Sequence, residues 1–181
     1  MNTPKILSPA GNTNSFLAAI AAGADAVYCG LKIFSARMEA DNFSIEELSR
    51  LTTLAHFRGI DVYIALNSLV KEGELEKVFN ILQKLCRYVD PDALIIQDLS
   101  LIPLALKAGF KKEFHLSTLG NCTSPSGLEY AQTLGIDRVV LPREFTIDDI
   151  KAMAAHARKG PELEVFVHGA LCYSISGRCY W

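Results

Sequence analysis

A short pattern at the ends of three predicted helices constrains the fold of this chain more than any other feature. It consists of a helix end, a glycine, an apolar residue and an aspartate, followed at once by a strand, and it occurs at residues 22–25, 58–61 and 134–137. Glycine ends a helix readily because it adopts the left-handed backbone conformation without a steric cost. The recurrence therefore predicts that helices and strands alternate along the chain.

Hydrophobic periodicity supports the same alternation. Short runs of β-branched and aliphatic residues are typical of buried strands, and apolar residues three or four positions apart are typical of amphipathic helices. These patterns predict seven strands, at residues 6–8, 26–29, 61–65, 93–96, 113–116, 138–141 and 163–167. They predict six helices, at residues 13–22, 45–58, 74–88, 101–108, 125–134 and 147–157. Ser44 with Glu47, and Thr146 with Asp148 and Asp149, supply the N-terminal signals of two of these helices.

Continuous alternation of strands and helices is typical of a mostly parallel sheet covered by helices, in the α/β class. An open doubly wound sheet and a closed barrel both satisfy this pattern. The barrel is favoured because no G-x-G-x-x-G follows the first strand and because polar residues follow nearly every strand. We therefore expect a single domain over residues 1–181 with the fold of a TIM-type (β/α) barrel. About seven parallel strands with outer helices fall short of the eight in a complete barrel, so the predicted barrel is incomplete.

Charge and hydropathy argue against two classes of surface. The 18 basic and 20 acidic residues give a net charge of −2 and are mixed along the chain. This balance argues against a broad, nonspecific surface for nucleic acids, although a local basic pocket is compatible with it. No apolar run approaches the ~20 residues of a membrane helix, and no signal peptide is evident. A cytoplasmic protein without a membrane partner is expected.

Polar side chains lie at or near the end of most predicted strands, where a β/α barrel carries its active site. The candidates for substrate binding are Ser8, Asn12, Asn42, Asn67, Asp98 and Ser117, and the candidates for catalysis are His115, Arg143, Glu144 and His168. Structural roles remain open beside the functional ones. Residues 8–12 suit a turn and helix cap, Asp98 suits a helix cap, and His115 suits a core position. Arg143 and Glu144 suit a simple ion pair.

The C-terminal segment contains Cys172 and Cys179, seven positions apart in a turn rich in serine and glycine. Thiolates that follow a strand end in this way suggest ligands of a metal ion or an iron–sulfur cluster, with two free thiols near a pocket as the alternative. Cys29, Cys86 and Cys122 are expected to be small residues of the core or rim. An odd count of five cysteines argues against a disulfide framework.

The same segment carries a family resemblance. Residues 164–172, and again 176–179, resemble the signature of the U32 peptidase family almost position by position. Further positions that resemble the family are residues 7–12, 23–28 with Gly30, 42–44, 55–56 with Gly59, Tyr63 with Asn67, 115–118, and 138–141 with 143–144. The resemblance covers about residues 5–181.

This resemblance implies a choice of activities. The family is named for a collagenase-like protease of unknown catalytic type, while other members resemble hydroxylation proteins that act on tRNA, ribosomal RNA or the ubiquinone precursor. Those members bind a [4Fe–4S] cluster through four cysteines, and by the resemblance Cys172 and Cys179 are the first two ligands. The other two family cysteines lie beyond this motif. The resemblance therefore implies an N-terminal fragment that lacks the C-terminal half of the family fold and has an incomplete cluster site.

Three functions follow as hypotheses. The first is an iron–sulfur-dependent hydroxylation protein, with RNA or a small aromatic as the substrate, and it is favoured because paired thiols are present and no protease motif is evident. The second is a peptidase in which Glu144 or His168 activates water, with or without a metal ion. The third is a non-catalytic RNA-binding partner, which the balanced charge disfavours as a sole role.

Overall fold

The computed structural model describes residues 3–35, 42–157, 160–169 and 172–178. The chain forms two compact units, Met1–Lys112 and Glu113–Trp181. The single domain expected over residues 1–181 stays a prediction. Within the described residues, no helix combines the length and the apolar character that crossing a membrane requires.

Strands and helices alternate throughout the first unit. Its strands are β1 (Leu7–Ala10), β2 (Ala26–Gly30), β3 (Asp61–Leu66) and β4 (Ala93–Ile96). Its helices are α1 (Thr13–Ala21), α2 (Ile45–Phe57), α3 (Leu75–Lys84) and α4 (Leu101–Ala108). The strands lie in the order β1–β2–β3–β4, and each neighbouring pair is parallel.

Both faces of this four-stranded sheet are apolar. One face carries a buried cluster formed by Ala26, Tyr63, Ala65, Ala93 and Ile95, against which Leu7 and Tyr28 pack. The other face carries fully buried side chains that include Val27, Val62, Ile64 and Leu94. Parallel strands that are buried on both faces have such near-continuous hydrophobic sequences.

The second unit continues the alternation. Its strands are β5 (Glu113–Leu116), β6 (Arg138–Val140) and β7 (Glu162–Glu164), and its helices are α5 (Pro125–Thr133) and α6 (Ile147–His156). Both strand pairs are parallel. In this register His115 lies opposite Arg138, and Arg138 lies opposite Glu162, so polar side chains share one face of the sheet.

The recurring turns adopt the predicted conformation. Gly23, Gly59 and Gly135 have φ of 79°, 70° and 78°, the left-handed values at which glycine is favoured. In two of the turns the aspartate also accepts a hydrogen bond from a backbone N–H group at the start of the strand that precedes the helix. The N–H of Ile6 donates to Asp25 at 2.7 Å, and the N–H of Phe114 donates to Asp137 at 2.9 Å. Each of these two aspartates therefore joins a helix end to a neighbouring strand.

Two element boundaries differ from the sequence-based expectation by three or more residues. The helix predicted at residues 74–88 ends as α3 at Lys84 and continues as a wider π-helical turn, Leu85–Val89. The strand predicted at residues 163–167 is limited to Glu162–Glu164. Its partner β6 has only three residues and is followed closely by Pro142, which has no N–H to donate, so the ladder ends with the bond from Leu141 to Glu164.

Candidate functional site

Cys172 differs from the other described cysteines in both exposure and acidity. Its thiol is exposed, and its pKa is lowered by a hydrogen bond from the Ser174 backbone N–H and then by the Arg143 guanidinium. Burial raises the pKa of Cys29 to about 12, and burial also raises the pKa of Cys122. A thiolate is the form that binds metal ions. Cys172 therefore has the environment expected of a ligand, and Cys29 has the environment of a core residue.

The segment 172–178, called the cysteine loop below, is attached to the loop that follows β6. The Arg143 backbone N–H donates to the Ser176 hydroxyl at 3.4 Å, and the Arg143 side chain donates from Nη2 to the Ser174 carbonyl at 3.3 Å. The Ser176 N–H donates to Glu144 Oε1 at 2.9 Å. Ser176 is only 3% exposed, so these bonds lie in a partly dry environment.

A second contact positions the cysteine loop from another direction. Gly177 has a φ of 77°, and a Cβ built on it would lie 2.5 Å from the Cβ of Asn121. Any larger residue at position 177 would clash with Asn121, which follows the short 3₁₀ turn Thr118–Gly120 after β5. The loop therefore packs closely against the β5–α5 connection as well as against the β6–α6 connection.

Glu144 is held as a carboxylate. Partial desolvation would raise its pKa, but the Ser176 N–H and the positive charge of Arg143 act in the opposite direction, and the net result is a lowered pKa. A carboxylate with a lowered pKa is a weak proton acceptor at neutral pH. This environment is better suited to holding a loop than to activating water.

His115 lies below the strand end rather than at it. It is the third residue of β5, it is fully buried, and its Nε2 lies 2.9 Å from Glu113 Oε2. Arg138 on the neighbouring strand lies 2.7 Å from Glu162 and 3.8 Å from Glu164, and burial raises the pKa of Glu164 with partial compensation by Arg138. His115 therefore belongs to a network of charged groups on one sheet face, apart from the cysteine loop contacts described above.

The remaining candidates of the second unit have simpler surroundings. His168 is exposed and follows β7. Ser117 is buried, and its hydroxyl caps the turn Thr118–Gly120 by accepting from the Leu119 N–H at 3.3 Å. Cys179, the second expected ligand, lies outside the described residues.

In the first unit, Asn12 and Asn42 line one polar cavity of about 440 Å³ together with Lys32 and Glu47. Asn12 also caps helix α1, where it accepts from the Ser15 N–H at 2.9 Å. A Cβ on Gly30 would lie 2.9 Å from Asn42 Oδ1, so the glycine leaves room for this amide. Lys32 was not identified from the sequence, because an isolated lysine in a loop carries no motif.

The other expected binding residues of this unit lie elsewhere. Ser8 is inside β1, in register with Val27, and Asn67 directly follows β3. Asp98 follows β4 and accepts hydrogen bonds from the backbone N–H groups of Val70 and Ser100, at 3.1 and 3.0 Å. It therefore connects the loops after β3 and β4, a role close to the predicted cap.

Two groups of expected residues are thus brought together within their own units: Asn12 with Asn42, and Cys172 with Arg143 and Glu144. Among the residues that the structure describes, no three His, Cys, Asp or Glu side chains form a metal-binding group. Of the four cysteines that the structure describes, Cys172 is the one that is exposed and has a lowered pKa.

Comparison with known proteins identifies the family. Residues 11–181 match the model of peptidase family U32. The chain belongs to this family. The structure of the U32 peptidase Mk0906 matches with a TM-score of 0.68 at 12% identity over 91% of this chain and 70% of that one, which confirms the expected fold of an incomplete TIM-type (β/α) barrel.

Relatives of this chain are named for different activities. An uncharacterized protease of Methanocaldococcus jannaschii is 40% identical over 97% of this chain and 43% of its own length. The tRNA hydroxylation protein P of Escherichia coli is 35% identical over 99% of this chain and 39% of its own length. A 23S rRNA 5-hydroxycytidine synthase of the same organism is 34% identical over 97% of this chain and 26% of its own length. The chain thus spans less than half the length of each of these relatives.

Proposed function

We propose that this chain is part of an RNA hydroxylation protein of the U32 family and that Cys172 is a ligand of its iron–sulfur cluster. The observation that carries the proposal is the environment of Cys172, an exposed thiol whose pKa is lowered by the Ser174 N–H and by Arg143. That environment favours a thiolate, which ligates iron. The relatives named for tRNA hydroxylation and for rRNA 5-hydroxycytidine synthesis support RNA as the substrate class.

The chemistry explains why a redox group is expected. Replacing C–H by C–OH on a nucleobase with oxygen from water releases two electrons and two protons, and protein side chains alone do not accept the electrons. A bound iron–sulfur cluster would pass the two electrons to an external two-electron acceptor. In this proposal the chain contributes Cys172, with Cys179 as a second ligand, and the polar cavity of Asn12 and Asn42 contributes to substrate binding. An RNA substrate also implies a cytoplasmic location.

The test is a nucleoside analysis of RNA. Hydrolysed tRNA and ribosomal RNA from cells that lack the gene encoding this chain are compared by mass spectrometry with RNA from cells complemented by the wild-type gene or by Cys172→Ala. We expect a hydroxylated nucleoside to disappear in the deletion strain, to return with the wild-type gene and to stay absent with Cys172→Ala. Identical nucleoside profiles in all strains would overturn the proposal.

A peptidase is the second candidate, and the relative named as a protease favours it. The site offers less support, because Glu144 accepts from the Ser176 N–H and has a lowered pKa. Gelatin cleavage by the purified protein, lost in both Glu144→Ala and His168→Ala, would favour the peptidase over the hydroxylation protein. A non-catalytic RNA-binding role would instead give salt-dependent RNA binding with unchanged nucleosides.

A further inference from the structure

Arg143 and Glu144 are adjacent in sequence and contact the same short loop through complementary groups. The Arg143 guanidinium donates to a backbone carbonyl, that of Ser174, and the Glu144 carboxylate accepts from a backbone N–H, that of Ser176. Hydrogen bonds in which one partner is charged are roughly twice as strong as neutral ones. The two side chains therefore bind one backbone carbonyl and one backbone N–H group of the cysteine loop.

These bonds use one oxygen of the Glu144 carboxylate and one nitrogen of the Arg143 guanidinium. Glu144 Oε1 is engaged at 2.9 Å, and Arg143 Nη2 is engaged at 3.3 Å, both within the loop contacts. An arginine guanidinium stays protonated in proteins, so it is not suited to act as a general acid or base. The backbone N–H of Arg143 also donates to the Ser176 hydroxyl. Ser176 therefore accepts a hydrogen bond from Arg143 and donates one to Glu144.

The loop is also fixed on its other side and within itself. Gly177 packs against Asn121 so closely that no Cβ fits between them. The Arg178 N–H donates to the Ile175 carbonyl at 3.0 Å, which closes a tight turn. Contacts from two connections, β5–α5 and β6–α6, therefore define the path of the backbone that begins at Cys172.

We propose that Arg143 and Glu144 are positioning residues that hold the cysteine loop in the shape in which Cys172 receives the cluster. This inference rests on the proposed function and deepens it. Groups that orient metal ligands without touching the metal are a general feature of such sites, and their loss weakens metal binding by roughly 10–100-fold. Because Arg143 also places a positive charge beside the thiolate, it favours the reduced state of the cluster over the oxidised state.

The first measurement follows the loop itself, in the protein as expressed and without reconstitution. Backbone hydrogen exchange is compared in wild type, Glu144→Ala and Glu144→Gln, with Glu129→Ala on the exposed face of α5 as the matched control. We expect exchange at Ser176 to be about tenfold faster in Glu144→Ala, because its acceptor is removed. Glu144→Gln keeps an oxygen acceptor and is expected to restore protection, and Glu129→Ala is expected to match wild type. Equal exchange in wild type and Glu144→Ala would overturn the positioning role.

The second measurement follows the cluster. The protein encoded by the gene is purified anaerobically as wild type, Arg143→Lys, Arg143→Ala and Cys172→Ala, and its iron content and midpoint reduction potential are measured. We expect Arg143→Ala to have a lower potential than wild type and Arg143→Lys to remain close to it, while circular dichroism shows that each variant is folded. An unchanged potential in Arg143→Ala would overturn the role of Arg143 beside the cluster while the proposed function stands. Equal iron in wild type and Cys172→Ala would instead contradict the proposed function, whatever the exchange data show.

Discussion

Cys172 and Cys29 show how strongly the surroundings of one residue type determine its chemistry. The Cys172 thiol is exposed and its pKa is lowered by the Ser174 N–H and Arg143, whereas burial raises the pKa of Cys29 to about 12. Only the thiolate form is a good nucleophile or metal ligand. Spacing in the sequence pointed to Cys172, but the hydrogen bond from a backbone N–H two residues away has no sequence signature.

This difference predicts selective alkylation. In the cluster-free protein and a short pulse of iodoacetamide at pH 8, we expect Cys172 to react faster than Cys29 by on the order of a hundredfold or more, because the thiolate fraction of Cys29 is far smaller. Peptide mass spectrometry measures both rates in the same sample. Comparable rates at the two cysteines would show that the thiol environments described here are wrong.

The environment of the Asp92 carboxylate predicts that the folded chain loses stability in acid. Burial would raise its pKa, but hydrogen bonds from the Val62 N–H at 2.8 Å and from His56 at 2.7 Å, together with the charge of Lys112, lower it overall. A carboxylate whose pKa is lower in the folded state stabilises the fold above its unfolded pKa of about 3.9, and this stabilisation is lost as the pH falls through the folded value.

Urea denaturation at pH 7 and at pH 3 measures this contribution. We expect Asp92→Ala to lower the free energy of unfolding at pH 7 by about 1–3 kcal/mol, and to differ less from wild type at pH 3. Glu129→Ala, on the exposed face of α5, is the control and should change little. A penalty that is as large at pH 3 as at pH 7 would contradict the assigned ionisation.

For the secondary-structure elements, the sequence predicted helix or strand type and the turns between elements better than the residue at which each element ends. The capping boxes of α2 at Ser44 with Glu47 and of α6 at Thr146 with Asp149 form as expected, because the bonding partners are only three residues apart. The end of β7 was missed because it depends on where β6 stops, which is a long-range property. His115 is the third of the four residues of β5, the strand that the sequence predicted at residues 113–116.

The helix-to-strand turns lead to a prediction about an element junction. Asp137→Ala removes the acceptor of the Phe114 N–H and leaves this part-buried donor without that bond. We expect the free energy of unfolding to fall by about 1–3 kcal/mol, since a hydrogen bond to a charged group is lost. Thermal unfolding followed by circular dichroism checks this, with Glu129→Ala as the exposed control; equal stability of the two variants would show that the turn does not depend on this bond.

At the scale of the molecule, the fold was accessible from local patterns, and the function was accessible only in part. Alternation of strands and helices predicted the β/α architecture, and the signature around Cys172 predicted the U32 family, which residues 11–181 match. Substrate class was not determined by either, because relatives with similar identity are named for proteolysis and for RNA hydroxylation. The chain also spans only 43% and 39% of those two relatives, so activity belongs to the proposals.

The most direct test of the account is the iron and acid-labile sulfide content of the protein produced without oxygen from the gene that encodes this chain. We predict a brown protein with bound iron and sulfide, and the loss of both in Cys172→Ala without loss of folding. A colourless wild-type protein without iron and sulfide, or a Cys172→Ala variant that binds as much of both as wild type, would contradict the assignment of Cys172 as a cluster ligand.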